Sequence, residues 1–208
     1  MSFTSVHDML TPPKIIRKQR FWDFFDGDSL RSWWAQRDVA GTGTFAMQAT
    51  VDDGFRITTG STSGNNSLID FNDAARHYSH IGSIFIGNMR STSVTDHYTI
   101  TGLTEQGASP SDTRYNWKND STISFMSMGT AVNSSSTNVS SSITPDTNFH
   151  KVAAEAKSAS VIGWVDDILE AISTANLPDV ALQPIFRQGT RSDNAKGGRI
   201  KYIEAYNT

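Results

Sequence analysis

From residue 40 onward the chain runs in short stretches of alternating apolar and polar positions, separated by Gly, Asn, Asp and Ser. A period of two predicts strands with one buried face. Residues 44–50, 55–59, 67–71, 83–89, 98–103, 114–118 and 122–128 fit this pattern, as do 183–191 and 198–206 near the end. In the last of these, Ile200, Tyr202, Glu204 and Tyr206 share a face. Residues 133–144 are almost all Ser, Thr and Asn, which predicts an exposed loop or a polar edge strand. Many short strands at such spacing predict an all-β sandwich or barrel.

Two stretches can be read either way. In residues 160–186, Asp166 or Asp167 is a fit N-cap, and Ile168, Leu169, Ile172 and Ala175 would form an apolar helical face ending before Pro178. The same residues also read as a hairpin, with 161–165 and 168–172 joined at Asp166-Asp167. Local propensity leans toward the helix, while the β pattern on both sides favours the hairpin. Residues 149–157 pose the same choice. Their alanines favour helix, whereas as a strand Phe149, Lys151, Ala153 and Glu155 face one way and His150, Val152, Ala154 and Ala156 the other.

The beginning of the chain is different. Pro12 and Pro13 favour an extended segment, and Lys14, Arg17, Lys18 and Arg20 follow closely. Residues 1–20 are expected to form an arm outside the core, either lying on the surface or docking to a neighbouring subunit. The sandwich domain is expected over residues 21–208. It opens with the aromatic-dense stretch 21–34, with turn chemistry around Asp26-Gly27-Asp28. Such a cluster serves either as core or as a platform for stacking on sugars.

Composition narrows the function. The chain has 208 residues, a net charge of −3 and no cysteine, so disulfides and Cys-ligated zinc are excluded. The near-neutral charge gives no reason to expect a nucleic acid or an acidic membrane as partner. No apolar run is long enough to span a bilayer as a helix. The N-terminal residues lack the basic-then-apolar pattern of a secretory signal, so none is expected.

The order of these features resembles the concanavalin A-like lectin/glucanase superfamily. The resemblance rests on Phe24-Phe25-Asp26-Gly27-Asp28-Ser29-Leu30 with Trp33-Trp34, and on Gly41-Thr42-Gly43-Thr44. Further along it rests on Phe149-His150-Lys151-Val152, Val165-Asp166-Asp167-Ile168-Leu169-Glu170-Ala171 and Leu177-Pro178. It ends with Leu182-Gln183-Pro184-Ile185-Phe186 and the closing strand through Tyr206. The resemblance implies a jelly-roll of two antiparallel sheets, with residues 160–173 as a hairpin. The usual glycine of the hairpin turn is replaced by Asp167, so a looser or longer turn is expected. Members include lectins, endoglucanases, polysaccharide lyases and non-catalytic virion proteins, so the fold alone does not set the activity.

The candidate chemistries are sparse. The glucanase members use a Glu-x-Asp-x-x-Glu arrangement, and none of the four glutamates, Glu105, Glu155, Glu170 and Glu204, lies in one. A lyase needs a His or Tyr base beside an Arg. Arg76, His77, Tyr78 and His80 form the best local cluster for that, and His97-Tyr98 and Arg114-Tyr115 supply further pairs. Asp23, Asp26 and Asp28 lack the calcium-loop pattern and suit turns and caps. His77 and His80 lack a third ligand, so no metal and no cofactor is expected. Trp117 and Tyr115, in a polar context, are the candidates for stacking on a sugar ring. The resulting expectation is a non-enzymatic virion protein, a capsid decoration or head-fibre component of a tailed phage. Its arm (Pro12, Pro13, Lys14, Arg17, Lys18, Arg20) would dock to capsid or other virion proteins, as a homo-oligomer able to bind surface glycans. The alternative is a carbohydrate-binding module or a polysaccharide-degrading enzyme, lyase or hydrolase.

Overall fold

A computed structural model describes residues 20–27, 29–38, 42–48, 54–71, 78–105 and 114–208. Among them are fifteen strands and no helix. In chain order these are β1 (Arg20–Asp23), β2 (Ala35–Asp38), β3 (Thr44–Met47), β4 (Phe55–Thr58), β5 (Asn66–Asp70), β6 (Ser83–Ser91), β7 (His97–Thr104) and β8 (Arg114–Asp120). There follow β9 (Ser127–Val132), β10 (Ser135–Ser140), β11 (His150–Ala156), β12 (Val161–Val165), β13 (Ile168–Ser173), β14 (Gln183–Thr190) and β15 (Gly197–Asn207).

The strands form two antiparallel sheets. One runs β13-β12-β11-β6-β15-β4-β3, with β1 also paired to β15, and the other runs β10-β9-β8-β7-β14-β5-β2. The core lies between them. Phe55, Ile57, Phe85, Met89, Val152, Ile200 and Ile203 from the first sheet meet Ile69, Leu103, Tyr115, Trp117, Met128 and Phe186 from the second. The alternation pattern predicted a sandwich or a barrel, and this is the sandwich, with the two antiparallel sheets of the jelly-roll that the resemblance implies. Both ambiguous stretches form strands, β11 to β13: Val152, Ala154, Ala156, Val161 and Val165 alternate into that core, while β13 gives it Ala171 and leaves Ile168, Leu169 and Ile172 exposed. Asp166 and Asp167 have φ of 50° and 67°, so the hairpin turn is a tight two-residue one despite the missing glycine. The turn is held from outside: Lys151 N–H donates to Asp166 Oδ1 at 2.9 Å, and Asp167 pairs with Lys151 Nζ.

Two expectations change, those for residues 122–126 and Arg20, and the polar run 133–144 takes the second of its two expected forms. Residues 122–126 do not begin a strand. The Asp120 carboxylate accepts from Thr122 N–H and Oγ1 at 3.0 Å each, an Asx turn that delays β9 to Ser127. The polar run 133–144 contributes a true edge strand, β10, turning at Asn133 and Ser134 with φ of 47° and 70°. Arg20 belongs to the sandwich and not to an arm: it heads β1 opposite Tyr206, and its Nε donates to Glu204 Oε1 at 2.7 Å. Pro12, Pro13, Lys14, Arg17 and Lys18 lie outside the described residues.

The aromatic opening divides between core and surface. Phe25 and Trp34 are buried, with Phe21 packed edge-on against Trp34 and Phe71. Trp22, Phe24 and Trp33 are exposed. Asp23 ties the cluster together, accepting from Phe25 N–H and Trp34 Nε1 at 2.9 Å each. Its role is that of a buried acceptor rather than a calcium ligand.

Candidate functional site

The two sheets differ in how their outward positions are used. In β14 every residue is buried, and in β5 likewise, although only alternate side chains face the core. Phe186 and Gln188 point inward, where Thr99 Oγ1 donates to Gln188 Oε1 at 2.5 Å. Arg187, Ile185 and Gly189 therefore point outward. Leu68, Ile185 and Ala131 are buried without joining the core cluster, which is the mark of a recessed outer face.

The strand register arranges this face in rows. One row reads Asn138, Gly129, Asn116, Gly102, Ile185 and Asp70. A Cβ on Gly129 would lie 2.9 Å from Asn116 Oδ1 and 3.1 Å from Asn138 Oδ1, so the absent side chain leaves room for two amides. Amide donors and acceptors on a glycine floor suit the hydroxyls of a sugar. The next row reads Ser127, Lys118, Ile100, Arg187, Leu68 and Arg37. Beyond it stand Asp120, Tyr98 and Gly189, and a Cβ at Gly189 would fall inside the Tyr98 ring.

Tyr98 is the centre of the charged part. Arg187 Nη2 donates to its hydroxyl oxygen at 3.3 Å. The Arg191, Arg187 and Lys118 cationic groups lie 5.2, 5.6 and 5.9 Å from its ring centroid. Asp120 is fully buried and receives Arg191 in a fork, Nη2 at 2.7 Å and Nε at 3.2 Å, together with Lys118. Burial pushes the Asp120 carboxyl up, but Arg191 and Lys118 outweigh it and hold the group well below the usual carboxylate range. Asp70, also buried, pairs with Arg37 at 3.1 Å.

The carboxylates do not form a hydrolytic pair. Asp70 and Asp120 stand on β5 and β8, three strand spacings apart, which is about 14 Å. Glycosidase pairs sit about 5–5.5 Å or 6.5–9.5 Å apart. The glutamates on strands belong to the other sheet: Glu155 on β11, Glu170 on β13 and Glu204 on β15. Glu170 receives Ser142 N–H at 2.7 Å, and Glu204 pairs with Arg20.

The residues singled out for stacking on sugar are in the wrong place for it. Trp117 and Tyr115 are 0% exposed, with Trp117 Nε1 donating to the Ala153 carbonyl at 2.7 Å and Tyr115 Oη sharing a hydrogen bond with Ser83. Both are core residues, because odd positions of this part of β8 face the other sheet. Of the Arg76–His80 cluster, Arg76 and His77 lie outside the described residues. Tyr78 is buried and bridges to Leu182. No group of three or more His, Asp or Glu able to hold a metal occurs among the described residues. Arg187, Arg191, Lys118 and Arg37 were not selected by sequence reasoning. The only local signal was the pair His97-Tyr98, and what makes Tyr98 distinctive arrives from β14 and β8.

This architecture is the concanavalin A-like jelly-roll of the β-glucanases. No family model matches the sequence, and no curated protein does. Solved structures match over nearly the whole chain. The Bacillus licheniformis β-glucanase superposes with a TM-score of 0.65 at 12% identity, covering 91% of this chain and 98% of that one. The Crh5 transglycosylase gives 0.64 at 14% identity, covering 91% and 84%. A pseudo β-1,3-glucanase of Mycobacterium tuberculosis gives 0.64 at 11% identity, covering 90% and 98%. At these identities the likeness establishes the fold. It also corrects the expectation of a non-enzymatic protein, since glycoside hydrolases and a transglycosylase share this fold along its length. The virion role draws no support from these structures, and the polysaccharide-degrading alternative does.

Proposed function

We propose that the protein is a polysaccharide-degrading enzyme, and that its substrate chain lies across the outer face of the seven-stranded sheet. The observation that carries this reading is the recessed outer face itself. Its floor combines glycines 102, 129 and 189 with the amides of Asn116 and Asn138, and it ends in the charged cluster around Tyr98. An outer sheet face with no ligand would be expected to be open and solvated. Here Asp70, Asp120, Leu68 and Arg187 are buried on it. The enzymes that share the fold act on polysaccharides by their names, and this supports the reading.

The test is depolymerisation. The purified chain is incubated with a panel of neutral and acidic polysaccharides, and product size is followed by chromatography. Shortened products are expected from at least one polymer. Ile100→Trp raises the middle of the floor from a half-buried outward position and should abolish their formation while the melting temperature holds. Absence of products from every polymer, or full activity in Ile100→Trp, would overturn the proposal.

A further inference from the structure

The outer face of the eight-stranded sheet, on the side of the sandwich away from the candidate site, carries a row of like charges. Arg56 on β4, Arg199 on β15 and Arg90 on β6 stand directly opposite one another. Their strand neighbours Ile57, Ile200 and Met89 are buried in the core, so the three arginines point outward. Adjacent strands lie about 4.8 Å apart, and the guanidinium side chains occupy consecutive places across the sheet. Like charges set opposite one another on paired strands repel. A bulge adds a fourth cation. The pairing of β15 with β6 shifts between Ile200 and Tyr202, while Ile200 and Ile203 are both buried, so Lys201 and Tyr202 are both left on the outer side. Lys201 Nζ lies 4.4 Å and the Arg90 guanidinium carbon 4.7 Å from the centroid of the Phe149 ring, which holds both cations at the edge of the row. No carboxylate occupies a described strand position in the row or in the rows beside it, where Thr58, Gly197 and Thr92 stand on one side and Tyr202, Asn88 and Lys151 on the other. Asp167, at the hairpin turn, is paired with Lys151, and Glu204, farther along β15, with Arg20. The whole chain is net negative, at −3, so this basic excess is local.

Arg56 is the residue that points to a ligand. Arg90 and Arg199 have further contacts of their own. Arg56 forms no hydrogen bond or ion pair with a described residue, and its Nε is shut off from solvent. The side chain leans over Gly197, where a Cβ would lie 3.4 Å from Arg56 Nε and 2.7 Å from Thr92 Oγ1. The glycine thus leaves a hollow between the guanidinium and the threonine. A charged N–H withdrawn from water without an acceptor is costly, and an anion seated beside it removes the cost on binding. The row also selects the shape of that anion. A planar carboxylate is matched by the edge of a single guanidinium. Guanidinium groups arriving from three neighbouring strands suit an ion whose oxygens point in several directions and whose charge offsets more than one cation.

We propose that Arg56, Arg199 and Arg90 form a binding site for a tetrahedral oxyanion, phosphate or sulfate, either free in solution or carried as an ester on a polysaccharide. The site belongs to the other sheet, so it stands apart from the cleavage assigned to the seven-stranded one. An ester bound here leaves the seven-stranded face open, and the protein is held on an anionic polymer while that face remains accessible.

The full chain is titrated calorimetrically with inorganic phosphate and with inorganic sulfate, against chloride at matched ionic strength. Concentrations stay below the range in which such salts stabilise proteins by exclusion. Retardation of the protein in gels containing dextran sulfate or plain dextran is measured beside this. Saturable heat from phosphate or sulfate is expected if the free ion is the ligand, and retardation by dextran sulfate alone if the ester is. In either case Arg56→Gln should weaken binding at least about tenfold. Lys151→Gln, which removes one positive charge from the same face, should leave binding nearly intact. Arg56→Gln should also raise the melting temperature at low salt without the anion, because it relieves the repulsion in the row. If that variant does not fold, Arg199→Gln carries the test. Binding of none of these ligands, equal losses in Arg56→Gln and Lys151→Gln, or undiminished binding in Arg56→Gln would overturn the inference. Each of these results leaves the depolymerisation test untouched, since that test reads the other face.

Discussion

At Gly189 the backbone is covered directly by the Tyr98 ring, and no side chain fits between them. Gly189→Ala therefore has to displace Tyr98 from Arg187. The expected outcome is a loss of about 1–3 kcal/mol in denaturant unfolding, together with loss of turnover. A stable, active alanine variant would show that the ring is free to move. This residue also shows what a sequence conceals. Tyr98, Gly189 and Arg187 are neighbours only because β7 pairs with β14, and their numbers lie some ninety apart. Trp117 shows the opposite error. Its neighbours Asn116 and Lys118 are polar, and the context suggested exposure. Those neighbours occupy the outer face of the sheet, while Trp117 occupies the inner one. Alternation reveals that two faces exist. Which face is the core cannot be read where both are buried.

The β12–β13 hairpin was legible only from the β pattern around it, since local propensity leaned toward a helix, and its two-residue turn is tighter than the missing glycine led us to expect. Its supports are less local. His150 on β11 lies between Asp166 of the turn, 2.7 Å from Nδ1, and Asp146, 3.0 Å from Nε2. Burial lowers the imidazole pKa, but the two carboxylates outweigh it and raise it above the ordinary histidine value. A pKa raised by folding contributes stability that is fully present below the unfolded value, about 6.5, and is lost as pH rises through the folded one. The melting temperature is expected to fall between pH 6 and pH 8 by a component that His150→Gln removes. An identical slope in the variant would show that the protonated ring does not clamp the turn. The same element scale explains β2 and β10. Ala35-Gln36-Arg37-Asp38 and Ser135-Ser136-Thr137-Asn138-Val139-Ser140 have no apolar alternation, since edge strands gain their place from backbone pairing.

Across the whole molecule, the all-β class and the sandwich were legible because the short alternating runs are distributed along the chain. The candidate site was not, because it is assembled from β2, β5, β7, β8 and β14, whose order in the sheet is set by topology. The strand orders also predict a gradient of stability. Amides of β7, β14, β6 and β15, each flanked on both sides, should exchange with solvent only through global unfolding, and those of β10 and β13 at the sheet edges much sooner. Hydrogen exchange read by mass spectrometry checks this, and uniform protection would contradict it.

The last two strands have one more consequence. β14 separates β7 from β5, and β15 separates β6 from β4, so each sheet is divided in two until residues 183–207 are in place. Synthesis runs from the other end. The emerging chain must carry two half-sheets with open, partly apolar edges until residues 183–207 have been made, and only then does Arg187 meet Tyr98. The candidate site is among the last parts of the sandwich to assemble, and the interval before it is when aggregation threatens most.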